Sequence, residues 1–527
     1  MIKEKIQKYN LPKNAELSFS ENAVSFEVPS SQIEELIIDF YKNHSLSLKL
    51  VTATDERQEN GCFKIWYIFG SPKDHLFIMP FIKLTNTAEF PSLSLSSSTH
   101  KIADYERRIQ TFFGLKPVGH RNARQIILHE NWPKNIFPLR KDFNFSTRPP
   151  IAKNNTYHFQ KVKGEGIYEI PVGPIHAGII EPGHFRFSVA GESIVLLEPR
   201  LGYTHKGSEK LFEVLPLPEK IRLSEKISGD SSFSHSLVFC QALEQLSNVK
   251  VPKRALYIRV IFSELERLAN HFGDLGAIML DTGFNFGGAQ GARLREGIMQ
   301  INERITGSRF LRGVNMLGGV SKDISGEEKN VLIKNLENIK KDFSEVMDIA
   351  LNDASLLNRL ERTGAIDQEI AKDHGVVGVV RRSLGIANDA RIDYPYAGYD
   401  ELILDEIAVE NGGDVYARFR VRIKEVYSSI KIIQNALSKL PKGDINISNP
   451  DIAFKKDAFA VSIVEGWRGD IVYFVRTDSK GNISRVFPRD PSLINWAVLR
   501  DAGYDNVVPD FPLINKSFNL SYSGNDL

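Results

Sequence analysis

The sequence predicts an α+β protein in which an N-terminal α+β domain precedes a helix bundle that opens with a short β-region. Three observations lead there. The chain has 527 residues, beyond the ~250–300 at which a single core stops growing, so two or more domains are expected. Within 1–145, the helical pattern SSQIEELIIDFYKNH is followed by the runs FKIWYIFG and HLFIMPFIKL, whose aromatic and β-branched content favours strands. Farther on, Leu256, Val260, Ile261, Leu265, Leu268, Phe272 and Leu275 recur at three- and four-residue steps, the spacing of one buried helix face.

Between these regions lies NFSTRPPIAKNNTYHFQKVKGEG, polar and carrying paired prolines, which reads as a linker over 146–168. The second domain then spans 169–527. Its β-rich opening, IYEIPVGPIHAGIIEPGHFRFSVAGESIVLLEP, gives way to helical stretches: LPEKIRLSEKISG, SSFSHSLVFCQALEQL and RALYIRVIFSELERLANHFGDLGAIML. EEKNVLIKNLENIKKDFSEVMDIAL and VYARFRVRIKEVYSSIKIIQNAL have the length to complete a bundle.

Composition narrows the chemistry. Lys and Arg number 67 against 65 Asp and Glu, a net charge of +2, so no global field draws nucleic acid or an anionic membrane. Partners are recognised locally. Cys62 and Cys240 are too few and too far apart for a disulfide framework, a zinc site or an iron–sulfur cluster held by this chain alone. A reducing cytoplasm fits them, and Cys240 in the apolar SLVFCQAL reads as a small buried hydrophobe. The first residues lack the apolar stretch of a secretory signal, and no run reaches the roughly 18 apolar residues of a membrane span. The glycine-rich GFNFGGAQGARLREG lacks the GK[ST] of a phosphate loop and follows a helical segment. HExxH and GxSxG are missing too, so hydrolase chemistry has no candidate site.

Longer motifs carry a resemblance. VGPIHAGIIEPGHFRF holds GPxH and a second histidine, and LGYTHKGSEKL and VPKRALYIRVIFSELERLANHFGDLGAIMLDTG follow. RRSLGIANDARIDYPYAGYDEL and GGDVYARFRVRIKEVYSSIKII come later. From Ile170 onward these resemble the large-subunit family shared by respiratory complex I and membrane-bound nickel–iron hydrogenases. DYERRIQTFFGLKPVGHRNARQIILHENWPKNIFPLRKDF resembles the signature of the small peripheral complex I subunit. The fused order is similar to that of hydrogenase-4 and formate hydrogenlyase large subunits and of some bacterial complex I chains. The resemblance implies a hydrogenase-type bundle in the second domain.

The departure from the pattern is informative. Hydrogenases of this family hold nickel and iron through two CxxC pairs, because soft thiolates are needed to bridge the metals. Here KISGDSSFSH places Ser228 and Ser231 at the first pair, and SFNLSYSGNDL places Ser521 and Gly524 at the second. A hydroxyl has a far higher pKa than a thiol and does not replace it, so no metal and no cofactor held by this chain are expected. Complex I lacks the same cysteines and brings a quinone towards an iron–sulfur cluster in its neighbour, and the resemblance implies that role here.

Site residues follow from the matches. His184 matches a cavity histidine of complex I, His176 marks the GPxH position, and Asp281 matches an aspartate at the end of the long helix. The position of a cavity tyrosine falls on Gly229, beside Asp230. Glu209 matches a proton-passing glutamate, whose carboxyl would be raised towards neutrality by partial desolvation; otherwise it is a helix-surface charge paired with Lys206 or Lys210. His184 and Asp281 form a carboxylate–imidazole pair or are separately satisfied polar groups. His235, one turn from Ser231, lines the cavity or packs the helix. Asp230 is a new proton-active group or a solvated helix-end charge. Arg468 in EGWRGD supplies a fixed charge for an anion, or bridges to Glu465 or Asp470.

The functional expectation is an electron-transfer subunit at the cytoplasmic face of the inner membrane, reducing quinone or another small acceptor and coupled to proton or ion translocation. Its implied partners are an iron–sulfur small subunit and antiporter-like and other membrane subunits, with no nucleic acid. The rival expectation is a non-catalytic scaffold in the same complex. An active nickel–iron hydrogenase does not fit the serines.

Overall fold

The computed structural model describes residues 2–527 except 10, 13–14, 95–99, 154–155, 403–405 and 448–451. Mixed helix and strand is observed, with a sheet domain ahead of the helical region. The N-terminal sheet runs in the order Ser18–Phe19, Ala23–Glu27, Leu76–Leu84, Cys62–Ser71, Ser47–Glu56. Ala23–Glu27 pairs in parallel with Leu76–Leu84, while the neighbouring pairs are antiparallel. The parallel pairing follows from the helix Ile33–Lys42, which lies in the chain segment between those two strands. A second helix, Ala103–Phe113, buries Tyr105, Ile109, Phe112 and Phe113.

The β-rich opening of the second domain is an antiparallel sheet with His184–Ala190 in the middle, between Ile167–Val172 and Ser193–Arg200. The bundle follows: Ser232–Ser247, Lys253–Asp281, Asn285–Thr306, Gly326–Ala350 and Val415–Ser438. Lys253–Asp281 is buried nearly all round, so its charged residues Arg259, Glu264, Glu266, Arg267 and Asp274 lie inside the protein. Buried charges persist only when paired and hydrogen-bonded, and here Glu264 meets Arg267 and Arg391, while Arg422 meets Asp274 at 2.8 Å. The glycine cluster has a packing purpose. A side chain at Gly291 would collide with Gly276 Cα, which is how Asn285–Thr306 lies close against the long helix.

One element was not expected. Phe459–Gly466, Gly469–Thr477 and Ile483–Arg489 form an antiparallel sheet buried on both faces, set between the bundle and the N-terminal domain. Val461, Val464, Val472 and Val475 fill its core, while Trp66 of the first domain packs 5.5 Å from Phe474. Ion pairs cross the same seam: Lys49 with Asp470 at 3.0 Å and Arg476 with Glu56 at 2.8 Å. The two domains therefore share one continuous core.

Candidate functional site

Arg468 occupies the turn between two strands of this last sheet, where Gly466 pairs with Gly469. Its side chain points at the loop ahead of Ser232–Ser247. Nη1 donates to Asp230 Oδ1 at 2.8 Å and Nη2 to Asp230 Oδ2 at 2.7 Å. This is the fork-to-fork geometry that gives arginine–carboxylate pairs both strength and direction. Nη1 also reaches Ser228 Oγ at 3.2 Å and Ser231 Oγ at 3.5 Å, and Nε donates to the Asn519 carbonyl. The guanidinium lies 3.9 Å over the Trp467 ring.

Asp230 is held from its other side as well. Its carboxylate accepts from Ser228 Oγ at 2.8 Å, and its carbonyl accepts from Asn270 Nδ2 at 2.9 Å. Although burial opposes the charge, the Arg468 guanidinium keeps this carboxyl below the usual carboxylate range. The expected partners of Arg468 are therefore corrected: Glu465 bonds Arg382, and Asp470 bonds Lys49 and Arg489. The cation instead reaches Asp230, on a loop far away in sequence.

Ser521 and Gly524 sit nearby in a different setting. Ser521 caps the short helix Tyr522–Asp526 by accepting from Gly524 N at 2.9 Å. A Cβ at Gly524 would stand 2.7 Å from Asp490 Cγ. Asp490 is fixed by Ser492 N at 2.7 Å and by His235, whose Nε2 lies 3.0 Å from Oδ2. The other ring nitrogen of His235 lies 3.0 Å from the Tyr473 hydroxyl, so neither is left for an incoming ligand. The expected cofactor-binding histidine is a packed core group. Burial opposes ionisation of Asp490, yet His235 beside it brings the carboxyl down to about 2.

Glu209 also differs from expectation. It accepts from Arg108 at 3.1 Å and from Arg485, and both arginines are buried. Burial alone would raise the carboxyl, but the two guanidiniums hold it below its ordinary value rather than near neutrality. Its expected lysine partners are engaged elsewhere, Lys210 with Glu213 and Lys206 with the Lys226 carbonyl. Arg108 belongs to the N-terminal domain, and Arg485 also reaches Thr52 Oγ1 there at 2.9 Å. Glu209 thus clamps the two domains together.

The His184–Asp281 pair does not form. His184 Nδ1 lies 3.1 Å from the Gly173 carbonyl, and burial pushes its imidazole down. His176 Nε2 lies 2.8 Å from the Gly183 carbonyl. Together the two histidines close the neck of the hairpin loop 173–183. Asp281 is exposed at the end of the long helix, where partial enclosure raises its carboxyl against the nearby charge of Lys516.

Sequence reasoning missed Glu266. It lies on the long helix and accepts from Phe233 N at 2.7 Å, Ser234 N at 3.1 Å and the Ser234 hydroxyl. It shares with Asp230 a small opening of about 10 Å³ that Asn270, Arg295, Asn302 and Arg309 also line. The available signal was its helix: with so few exposed positions along Lys253–Asp281, its acidic residues have to be inside.

Two family models match this chain: the 30 Kd subunit of respiratory-chain NADH dehydrogenase over residues 26–149, and the 49 Kd subunit over 281–526. Formate hydrogenlyase subunit 5 of Escherichia coli is 32% identical over 505 residues, 95% of this chain and 88% of that one. Hydrogenase-4 component G of the same organism is 33% identical over 509 residues, again 95% and 88%. The C/D subunit of an NADH-quinone oxidoreductase from Phocaeicola vulgatus is 28% identical over 475 residues, 86% of this chain and 90% of its own. The chain belongs to the oxidoreductase family of complex I and membrane-bound hydrogenase large subunits, in the branch that carries the 30 Kd-type domain fused ahead of the 49 Kd-type domain. Among the described residues, no helix is long and apolar enough to cross a membrane.

A nickel–iron centre does not fit the residues present. The four positions that the resemblance would assign to its ligands carry three hydroxyls and a glycine, a guanidinium is bonded to two of the hydroxyls, and a side chain at Gly524 would run into Asp490. Soft thiolates and a site open to cations are both missing.

Proposed function

We propose that this chain is the electron-transfer subunit of a membrane-associated complex of the complex I or energy-converting hydrogenase kind, working without a metal centre of its own. Electrons arrive from an iron–sulfur cluster in a small partner subunit, and quinone or another small acceptor is reduced at the face bearing Asp230 and Arg468. Proton or ion translocation is coupled through antiporter-like membrane subunits, which hold the chain at the cytoplasmic side of the inner membrane. The observation that carries this reading is the Arg468–Asp230 pair between Ser228 and Ser231. The fork fixes an oriented set of donors beside two serine hydroxyls, and preorganised dipoles of this kind favour negative charge developing on an acceptor without reorganising. The opening beside Asp230, about 10 Å³, holds about one water, so the partner's surface has to complete the acceptor site.

That small opening favours a second reading, a scaffold subunit that retains the fold without redox work. Turnover separates the two. In the complex purified from membranes, Arg468→Lys retains the charge and loses the fork, and the redox reading expects quinone reduction to fall about tenfold or more with every subunit still present. Full turnover in that variant supports the scaffold.

A further inference from the structure

We propose that Glu266 exchanges protons with solvent through the opening beside Asp230 and supplies them to the reaction at that face. The inference deepens the functional reading above and rests on it. Geometry comes first. The carboxylate is buried, yet it lines an opening shared with Asp230, Asn270, Arg295, Asn302 and Arg309. Among the lining residues Asn302 Oδ1 is buried without a hydrogen-bond partner, and a space of this size holds about one water.

Chemistry then selects Glu266 over its neighbours. Asp230 has both carboxylate oxygens committed to Arg468, and protonating it would break that fork. Glu209 is clamped between two guanidiniums. The donors to Glu266 are two amides and a hydroxyl, none of them a counter-ion, so its proton can come and go. Facing it are Asp230 from the loop, Arg295 from the helix Asn285–Thr306 and Arg309 from the segment after that helix. Burial raises its carboxyl to about 7, against the three hydrogen bonds and with some help from Asp230. A group titrating near the working pH is suited to proton exchange. For each electron that the partner's iron–sulfur cluster passes to the acceptor, one proton passes from water to the Glu266 carboxylate and on to the reduced acceptor, so that two electrons and two protons make a quinol.

The test uses the intact complex with wild-type chain, Glu266→Gln and Glu266→Asp. Infrared difference spectra taken across neutral pH read protonated carboxyls directly. One band should vanish in Glu266→Gln and persist, shifted, in Glu266→Asp, while the other buried carboxyls that titrate near 7, Glu106 and Glu465, keep theirs. Quinone turnover at pH 7 should fall about tenfold or more in Glu266→Gln and recover in Glu266→Asp. An unchanged set of neutral-range bands in Glu266→Gln overturns the proposal, as does full turnover once the band is gone. A wild-type complex that reduces neither quinone nor another small acceptor defeats the functional reading instead, and the infrared titration still decides proton exchange at Glu266.

Discussion

Arg468 holds Asp230 by two parallel hydrogen bonds of 2.8 and 2.7 Å, on the loop where the resemblance in sequence would place a pair of metal-binding cysteines. Removing the arginine strands a carboxylate that is about one-third exposed, its side chain at 35%. Losing one partner of a fully buried pair costs ~3–5 kcal/mol, and the exposure brings the expectation for Arg468→Ala down to about 1–3 kcal/mol. Denaturant unfolding checks this. A double-mutant cycle with Asp230→Asn should show coupling, whereas strictly additive losses would mean that the pair is incidental.

Glu209→Gln should weaken the seam between the domains. The amide keeps the shape but leaves Arg108 and Arg485 buried without their counter-charge, at a cost of ~3–5 kcal/mol. Hydrogen exchange should quicken in Ala103–Phe113, the helix that carries Arg108. Slowed turnover with unchanged exchange and stability would restore the proton-relay reading of this residue.

The acid limb of stability follows the same group. Because the folded pKa of Glu209 is depressed, its contribution is present above the ordinary value of 4.5 and lost as pH falls through the folded value. Glu266 has the opposite sign. Its raised carboxyl binds a proton in the folded state, so its favourable term is full below 4.5 and declines as pH rises to about 7. Urea midpoints across that window should slope less steeply in Glu266→Gln, and an identical slope would assign the raised carboxyl elsewhere.

The long helix was legible because Leu265, Leu268, Phe272 and Leu275 keep helical spacing. The Phe459–Arg489 sheet was not, since strands buried on both faces show no alternation to mark them. Arg468 was legible as a fixed charge, but its partner was sought among sequence neighbours. Glu465 and Asp470 face each other across the hairpin, and the actual partner lies 238 positions away. Glu209 was misjudged for the same reason: desolvation can be guessed from a motif, whereas guanidiniums brought in from 101 and 276 residues away cannot.

Restoring Ser228→Cys, Ser231→Cys, Ser521→Cys and Gly524→Cys together should give a chain that takes up no nickel. Arg468 still lies against the first two positions, and a side chain at 524 runs into Asp490, an overpacking cost of ~1–3 kcal/mol. Nickel uptake by this variant during co-expression with hydrogenase maturation proteins would show that Arg468 gives way more easily than its bonds suggest.

The most direct measurement is the nickel content of the native complex, purified from membranes with the iron–sulfur subunit proposed as its partner. If the Arg468–Asp230 pair stands in place of the metal centre, elemental analysis finds iron from the partner's cluster and nickel only at background. About one nickel per chain would contradict the account at its base.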